Sequence, residues 1–203
     1  MIARDRVGFT SAAQGDLLRD EEARIRVSDA LGISRDWAVV RQVHGSNVHH
    51  ATAPGVLGEG DALWTDERGL PLAVFTADCL GVAVLADGAV GVAHVGWRGA
   101  AAGVVPALAE AMKEAGHHPV GAVVGPGIGP CCFEVGPEVA ERFPGHTSTT
   151  TWGTVSVDLP GVVVSQLPGI DVMVVGGCTR HDQTWFSHRR DRTPMRQAAV
   201  TWL

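Results

Sequence analysis

The chain has 203 residues, of which 45% are hydrophobic and 19% are charged. These values are typical of a globular protein, and the length predicts a single domain, 1–203, with a sizeable core. The net charge of −6 argues against nonspecific binding to nucleic acid or anionic lipid, because both require a cationic surface. No segment has the ~18 to 20 consecutive apolar residues of a membrane helix. Residues 1–9, MIARDRVGF, lack the apolar region of a secretory signal, so we expect a cytoplasmic protein.

The first third of the chain predicts one helix among short strands. In residues 16–31, apolar positions recur at helical spacing among Asp, Glu and Arg, and Gly32 ends this predicted amphipathic helix. The other predicted elements are strands at 4–10, 37–43, 47–53 and 61–66 and a loop at 54–60.

Residues 72–99 are the most apolar part of the chain. Two near-continuous runs of Val, Ala, Leu and Gly predict strands that are covered on both faces. Cys79 and His94 interrupt these runs where a strand meets a turn or a glycine. Buried polar groups at such places need a partner or a chemical role.

The second half of the chain predicts helices and strands in irregular alternation. A helix is expected from residue 97 or 98 to 115, and Pro106 predicts a kink or a later start. The fold class that follows is α+β with mixed β-sheets. The other predicted elements are strands at 120–124, 154–158, 170–175 and 197–203, helices at 137–143 and 161–166, and loops at 144–153 and 178–191.

Three residues form a candidate metal site: His44, Cys79 and His94. Two imidazoles and one thiolate suit zinc or copper, and three protein ligands leave one position open for a water molecule. The separations, 35 residues from position 44 to 79 and 15 from 79 to 94, exclude a local finger-like site. Each residue taken alone is more often part of a core, but all three lie at strand ends, where functional sites gather.

Asp78 and Arg98 are candidates to assist this site. Asp78 is expected to orient a ligand or move a proton, and the alternative is a carboxylate that accepts backbone N–H bonds. Arg98 lies at a predicted helix start, where free N–H groups attract anions. We expect it either to pair with a carboxylate or to meet an anionic substrate.

The four cysteines are expected to be reduced in a cytoplasmic protein. No CxxC spacing is present, so a zinc ribbon is not predicted. Residues 125–136, GPGIGPCCFEVG, lack the spacing of a phosphate-binding loop. Cys131 and Cys132 are expected in a packed turn with Phe133, and the alternative is that they approach the metal.

Six motifs follow one another in the chain from residue 42 onward. They are QVHGSNV (42–48), GDALWTD (60–66), FTADCLGVAVLA (75–86), AHVGWRGAAAGVV (93–105), GPGIGPCCFEVG (125–136) and the closing segment 178–191. Together they resemble the YfiH or laccase-domain family, also called multicopper polyphenol oxidases. The resemblance implies a layered α/β/β/α domain and a metal site made by His44, Cys79 and His94.

Members of this family are described as purine nucleoside enzymes. The resemblance implies phosphorolysis of adenosine, inosine and methylthioadenosine and deamination of adenosine, with Zn²⁺ as cofactor and Cu²⁺ as the alternative. Cys79, His94 and Asp78 are the predicted catalytic residues, and the predicted substrates are a purine nucleoside and phosphate. Arg98, Arg41 and Gln42 are the predicted substrate-binding residues, and we expect a monomer or weak oligomer.

The sequence leaves three alternatives and one departure. A copper oxidase of phenols needs further copper-binding histidines, and no H-x-H pair is present. A cysteine hydrolase with Cys79 as nucleophile and His94 as base leaves His44 without a role. A noncatalytic factor affecting cell-wall precursor fidelity is the third. Residues 9–18, FTSAAQGDLL, depart from the threonine-arginine, glycine-glycine and asparagine-leucine pairs of family members, so specificity is expected to depend on this segment.

Overall fold

The computed structural model describes residues 1–203. Strands β1 to β14 are, in chain order, Ile2–Arg4, Val7–Phe9, Ala38–Arg41, Val48–His50, Gly55–Glu59, Ala62–Thr65, Leu72–Thr76, Leu80–Ala86, Ala89–Val95, Pro119–Val124, Thr147–Thr149, Val155–Val157, Asp171–Val174 and Gln197–Thr201. Helices α1 to α6 are Glu21–Leu31, Trp97–Ala101, Val104–Glu114, Pro137–Ala140, Leu159–Ser165 and His188–Asp191, and Ala12–Gln14 forms a 3-10 turn.

Twelve of the strands form two six-stranded sheets. The first sheet has the order β1-β2-β14-β7-β3-β5 and the second β13-β10-β8-β9-β6-β4. Both are mixed. In the first sheet β3 runs parallel to β7, whereas β14 is antiparallel to β7; in the second, β10 runs parallel to β13, whereas β8 and β9 are antiparallel. Strands β7 and β14 of the first sheet pack on β8 and β9 of the second. The fully buried pattern of β7 and β9 reflects this packing.

Helices cover the outer faces of both sheets. Ala23 and Val27 of α1 pack with Phe75 and other residues of the first sheet. Leu108 of α3 packs on the second sheet, at Gly91, where an added Cβ would lie 2.9 Å from a Leu108 methyl carbon. The resulting α/β/β/α layers confirm the predicted α+β class with mixed sheets. None of the helices is both long and apolar enough to cross a membrane.

The predicted start of the first helix was wrong by five residues. Helix α1 begins at Glu21, because Asp20 adopts an extended backbone and its carboxylate accepts the Ala23 N–H at 3.0 Å. The preceding segment instead binds the far end of the chain, where the Leu17 N–H donates to the Arg196 carbonyl at 2.9 Å.

Other boundaries also differ from the predictions. The predicted loops 144–153 and 178–191 contain β11 and α6, and the predicted strand 4–10 is divided between β1 and β2. The predicted loop 54–60 contains β5, which pairs with β3. The predicted helix 97–115 is divided into α2 and α3 by Gly103, whose φ of 76° is left-handed. Pro106 lies in the first turn of α3, where its missing N–H costs nothing. Residues 72–95 form three strands, so Cys79 lies in the loop between β7 and β8.

Candidate metal and active site

The ends of three elements bring His44, Cys79 and His94 together. His44 follows β3, Cys79 precedes β8, and His94 lies near the end of β9. Their ligand atoms all lie within 4.8 Å of one another. His44 is exposed, whereas His94 is only 3% exposed. The predicted ligands therefore form one compact group that opens to solvent on the His44 side.

A fully buried carboxylate, Asp61, holds this group in place. It accepts hydrogen bonds from the backbone N–H groups of Val43, His44 and Gly45 at 3.1, 3.0 and 2.7 Å. The same carboxylate lies 2.8 Å from Nδ1 of His94. Burial raises the pKa of Asp61, but the bonds from His94 and the backbone outweigh burial and lower it below 3.8. The sequence analysis did not single out Asp61; its signal was an acid directly before the buried strand β6.

Cys79 and His94 form a charged pair. Burial raises the pKa of the Cys79 thiol, but the charge of His94 and hydrogen bonds from both histidines outweigh it and lower the pKa to about 6. Burial likewise lowers the pKa of His94, but the Cys79 charge and the Asp61 hydrogen bond raise it to about 9. The pair is thus a thiolate beside an imidazolium when no metal competes for the thiolate.

Gly96 allows the ligands to come this close. A Cβ at this position would lie 3.0 Å from the Cys79 Sγ and 3.0 Å from Cδ2 of His44. Gly96 is the N-cap residue of α2, directly after β9. The chain therefore turns from strand to helix against the candidate ligands themselves.

The donor set fits a metal ion. Two imidazoles and a thiolate are borderline-soft ligands that suit zinc or copper. Asp61 occupies Nδ1 of His94 and leaves Nε2 free, which is the usual arrangement of a carboxylate behind a metal-binding histidine. The chemistry of the donors does not separate the two metals.

Asp78 is buried beside this group and is fully hydrogen-bonded. One oxygen accepts the Thr179 hydroxyl at 2.7 Å, and the other accepts the Arg189 N–H at 2.6 Å. Its φ of 89° is strained for a residue other than glycine. Asp78 thereby ties the loop that carries Cys79 to the closing segment of the chain.

The group lies in a cavity of about 610 Å³. Gln42 lines this cavity, and its amide bonds both the N–H and the carbonyl of Phe75 at 2.8 Å, which joins β3 to β7. Leu18, from the divergent segment 9–18, also lines it. Arg41 lines the cavity and lies 3.5 Å from Glu59.

Two further arginines, which the sequence analysis did not select, line the same cavity. The guanidinium groups of Arg189 and Arg196 have no carboxylate within 4.0 Å and donate hydrogen bonds only to backbone carbonyls. Arg189 follows the N-cap Ser187 of α6, and Arg196 directly precedes β14. Arg98 does not line the cavity; it is exposed and lies 4.3 Å from the centre of the Trp97 ring. Arg98 has no carboxylate within 4.0 Å, so the expected ion pair is absent.

The chain is similar to several known proteins over most of its length. It is 40% identical to a Streptomyces griseus protein named purine nucleoside phosphorylase ORF3, covering 98% of this chain and 92% of that protein. It is 42% identical to a purine nucleoside phosphorylase of Streptomyces coelicolor, covering 86% and 78%. The crystal structure of a Bacillus licheniformis hypothetical protein YfiH superposes with a TM-score of 0.85 at 27% identity, covering 97% of this chain and 92% of that one.

A protein-family model also matches most of the chain. Its description is multi-copper polyphenol oxidoreductase laccase, and the match spans residues 10–203. The structural match to YfiH and the family match agree with the resemblance carried by the six sequence motifs. The chain therefore belongs to the YfiH, or laccase-domain, family.

Proposed function

We propose that this protein is a purine nucleoside phosphorylase that transfers the ribosyl group of adenosine, inosine or methylthioadenosine to phosphate. The observation that carries the proposal is one cavity that combines the His44, Cys79 and His94 group with the guanidinium groups of Arg189 and Arg196, whose charges no carboxylate neutralises. A volume of about 610 Å³ is sufficient for a nucleoside and a phosphate ion. The names of the Streptomyces relatives support the same activity.

In the proposed reaction, a phosphate oxygen bonds to C1′ of the ribose as the bond from C1′ to the purine nitrogen breaks. The base leaves with that electron pair and takes up one proton. Arg189 and Arg196 would hold the phosphate, since guanidinium groups bind phosphate oxygens in pairs. A zinc ion bound by His44, Cys79 and His94 would supply Lewis acidity and water activation.

The two buried carboxylates then act as positioning residues. Asp61 orients the His94 ring and the His44 backbone through its hydrogen bonds. The two Asp78 oxygens accept hydrogen bonds from the Thr179 hydroxyl and the Arg189 backbone N–H, so Asp78 positions the backbone of Arg189. This role for Asp78 is favoured over the proton transfer considered from the sequence, because neither oxygen lacks a partner.

The proposal is tested by incubating metal-analysed protein with each nucleoside, with and without phosphate, and separating the products by chromatography. Free base that forms only with phosphate supports phosphorolysis. No product from zinc-loaded protein would contradict it. Inosine formed from adenosine without phosphate would reveal deamination, which the resemblance also implies, and substituting Cu²⁺ for Zn²⁺ compares the two metals.

The phosphate site is tested with arginine variants. Arg189→Gln is expected to raise the KM for phosphate at least tenfold, because a charged contact to the anion is lost. Arg192→Gln, an exposed position three residues along that does not line the cavity, serves as the matched control. If Arg98→Gln raises the KM for phosphate while Arg189→Gln does not, the site selected from the sequence is the correct one.

A cysteine hydrolase is the second candidate, and one observation favours it. Asp61, His94 and Cys79 form a carboxylate, imidazole and thiolate series with a lowered Cys79 pKa, as in nucleophilic cysteine enzymes. Cys79→Ser separates the candidates by metal analysis. Loss of bound metal together with phosphorolysis supports the first, whereas ester hydrolysis by metal-free wild type that Cys79→Ser abolishes supports the second.

A further inference from the structure

A second group of thiols lies outside the candidate ligand set already described. It consists of Cys131, Cys132, Cys178 and His181, whose ligand atoms all lie within 4.8 Å of one another. The Cys131 Sγ is 3.7 Å from Nδ1 of His181. All of these cysteines are free thiols. Two come from the loop between β10 and α4, and the other two residues come from the segment after β13.

The backbone holds these two segments side by side. Gly127 and Cys178 form a parallel β-bridge, and the Thr179 N–H donates to the Gly127 carbonyl at 3.0 Å. The His181 N–H donates to the Cys178 carbonyl at 3.1 Å, which forms the turn that brings the imidazole back to the thiols. A Cβ on Gly129 would lie 3.4 Å from the Cys131 Sγ and 3.3 Å from Cys178 Cβ. The close approach thus depends on the main chain of both segments.

The donor types and their spacing match a closed zinc site. Structural zinc ions are held tetrahedrally by sets that include three cysteines and one histidine. With metal–ligand distances of about 2.0 to 2.3 Å, tetrahedral geometry separates the ligand atoms by about 3.5 to 3.8 Å. The separation of 3.7 Å between Cys131 Sγ and His181 Nδ1 already has this value. No separation within the group exceeds 4.8 Å, so a contraction of at most about 1 Å brings all four ligand atoms to the same range.

Packing and disulfide formation account for the group less well. Cys132 is buried in the core, as a small apolar residue would be, but the exposed His181 gains no burial by facing the thiols. Neighbouring residues Cys131 and Cys132 do not easily bridge each other, and any bridge to Cys178 leaves one thiol over. A single tetrahedral ion uses all four donors.

We propose that Cys131, Cys132, Cys178 and His181 bind a structural zinc ion that joins the two segments at the edge of the cavity. The joined segments reach the cavity at two points. Ile128 and Phe133, on either side of the paired cysteines, line it, and Thr179 donates to Asp78. The ion would therefore stabilise one cavity wall. This site is independent of the proposed phosphorylase activity.

The test compares zinc binding in His94→Ala and in His94→Ala/His181→Ala, because His94→Ala removes the most buried ligand of the first group and so disables that site. The single variant is expected to retain one tightly bound zinc per chain. The double variant is expected to bind zinc at least tenfold more weakly, as measured by competition with a chelating dye. The exposed His118, for which the structure shows no side-chain hydrogen bond or ion pair, provides the control His94→Ala/His118→Ala, which is expected to match the single variant.

Cobalt provides a measurement that does not depend on activity. Co²⁺ bound by three thiolates is expected to give a sulfur-to-metal charge-transfer band in His94→Ala that is weakened in the variant carrying His181→Ala and unchanged with His118→Ala. Because His181 is exposed, equal melting temperatures of the metal-depleted forms are expected and would show that folding is intact. Equal zinc affinities in the single and His181 double variants, or a disulfide to Cys178 in freshly purified protein, would overturn the proposal.

Discussion

The buried Asp61 carboxylate supports two of the three candidate ligands at once. Three successive backbone N–H groups and the His94 ring surround its two oxygens. The His44 backbone has a φ of 61°, a left-handed conformation that costs energy for a side chain of this size. Hydrogen bonds to an ionised acceptor offset this cost, so the carboxylate stabilises the turn that carries the candidate ligand His44.

Asp61→Asn is expected to destabilise the metal-depleted protein by about 2 to 4 kcal/mol at pH 7. The NH₂ group of the amide would face N–H donors that now bond to a carboxylate oxygen, and the negative charge would be lost. The folded pKa of Asp61 lies below its unfolded value of 3.8. Its stabilising effect is therefore complete above that value and is lost as the pH falls through the folded pKa. Urea unfolding at pH 7 and near pH 3 measures the difference between variant and wild type.

The matched control for this experiment is Asp87→Asn, at an exposed carboxylate in the turn between β8 and β9. A change within about 0.5 kcal/mol is expected there. A difference between Asp61→Asn and wild type that stays constant, or grows, as the pH falls would contradict the assigned role of the charge.

Single residues differ in how well the sequence reveals them. His44, Cys79 and His94 stand out because each interrupts or ends an apolar strand, and the fold brings all three together. Asp61 does not stand out, since an acidic residue before a strand is common. Its structural role depends on hydrogen bonds from the backbone N–H groups of residues 43–45, which lie far from it in the sequence. The second thiol group was missed for the same reason. Its two halves, Cys131 with Cys132 and Cys178 with His181, lie in segments far apart in the sequence, and spacing rules detect only local sites.

The turn from β9 into α2 illustrates how an element boundary shapes the site. His94 is the second-to-last residue of β9, and Gly96, two residues later, is the N-cap of α2. The φ of Gly96 is −84°, which any residue can adopt, so this glycine is required for space and not for backbone freedom.

Gly96→Ala is therefore expected to weaken zinc binding about tenfold, because the new methyl carbon would lie 3.0 Å from the Cys79 Sγ. The expected change in melting temperature is small, since the neighbouring His44 side chain is exposed and can move. Zinc titration by calorimetry measures the affinity. Gly121→Ala, in β10 and free of close contacts, should bind zinc as wild type does; unchanged affinity in Gly96→Ala would show that the ligands are not confined by this glycine.

Helices and strands were predictable where the local sequence pattern is strong. They were not where pairing with a distant segment determines whether an element forms or where it begins. The apolar runs of β8 and β9 predict buried strands directly. β5 reads as a loop because glycines flank its few apolar residues, and only pairing with β3 makes it a strand. Helix α1 begins late because its preceding residues bind the Arg196 backbone, which lies at the other end of the chain.

In the whole molecule, the two mixed sheets pack face to face, and the side chains between them form one interior layer of the core. Mixed pairing was foreseeable from the irregular alternation of elements, whereas the helices on both outer faces were implied by the family resemblance. The strand order was not foreseeable, because β14 from the end of the chain lies between β2 and β7. This placement unites the first and last segments, and it also brings Arg196 to the cavity.

The two sheets approach each other closely where Gly81 of β8 faces Ala199 of β14. A Cβ on Gly81 would overlap with the Ala199 side chain and would lie 3.7 Å from its Cα. No flexible side chain can move aside there. The contacted atom is the Cβ of Ala199, which is fixed by its own backbone, and Ala199 is only 2% exposed. The sheets would have to separate locally, so Gly81→Ala is expected to destabilise the protein by about 1 to 3 kcal/mol.

Gly121→Ala in the adjacent strand β10 provides the comparison for this prediction. An added Cβ there has only the Asp171 carbonyl oxygen within 4 Å, at 3.8 Å. Since alanine is favoured over glycine within a strand by roughly 0.5 to 1 kcal/mol, this variant should be neutral or slightly more stable. Urea unfolding of both variants measures the contrast. Equal stability of Gly81→Ala and Gly121→Ala would mean that the interior layer can expand, and that the cavity at its edge does not depend on close packing of β8 against β14.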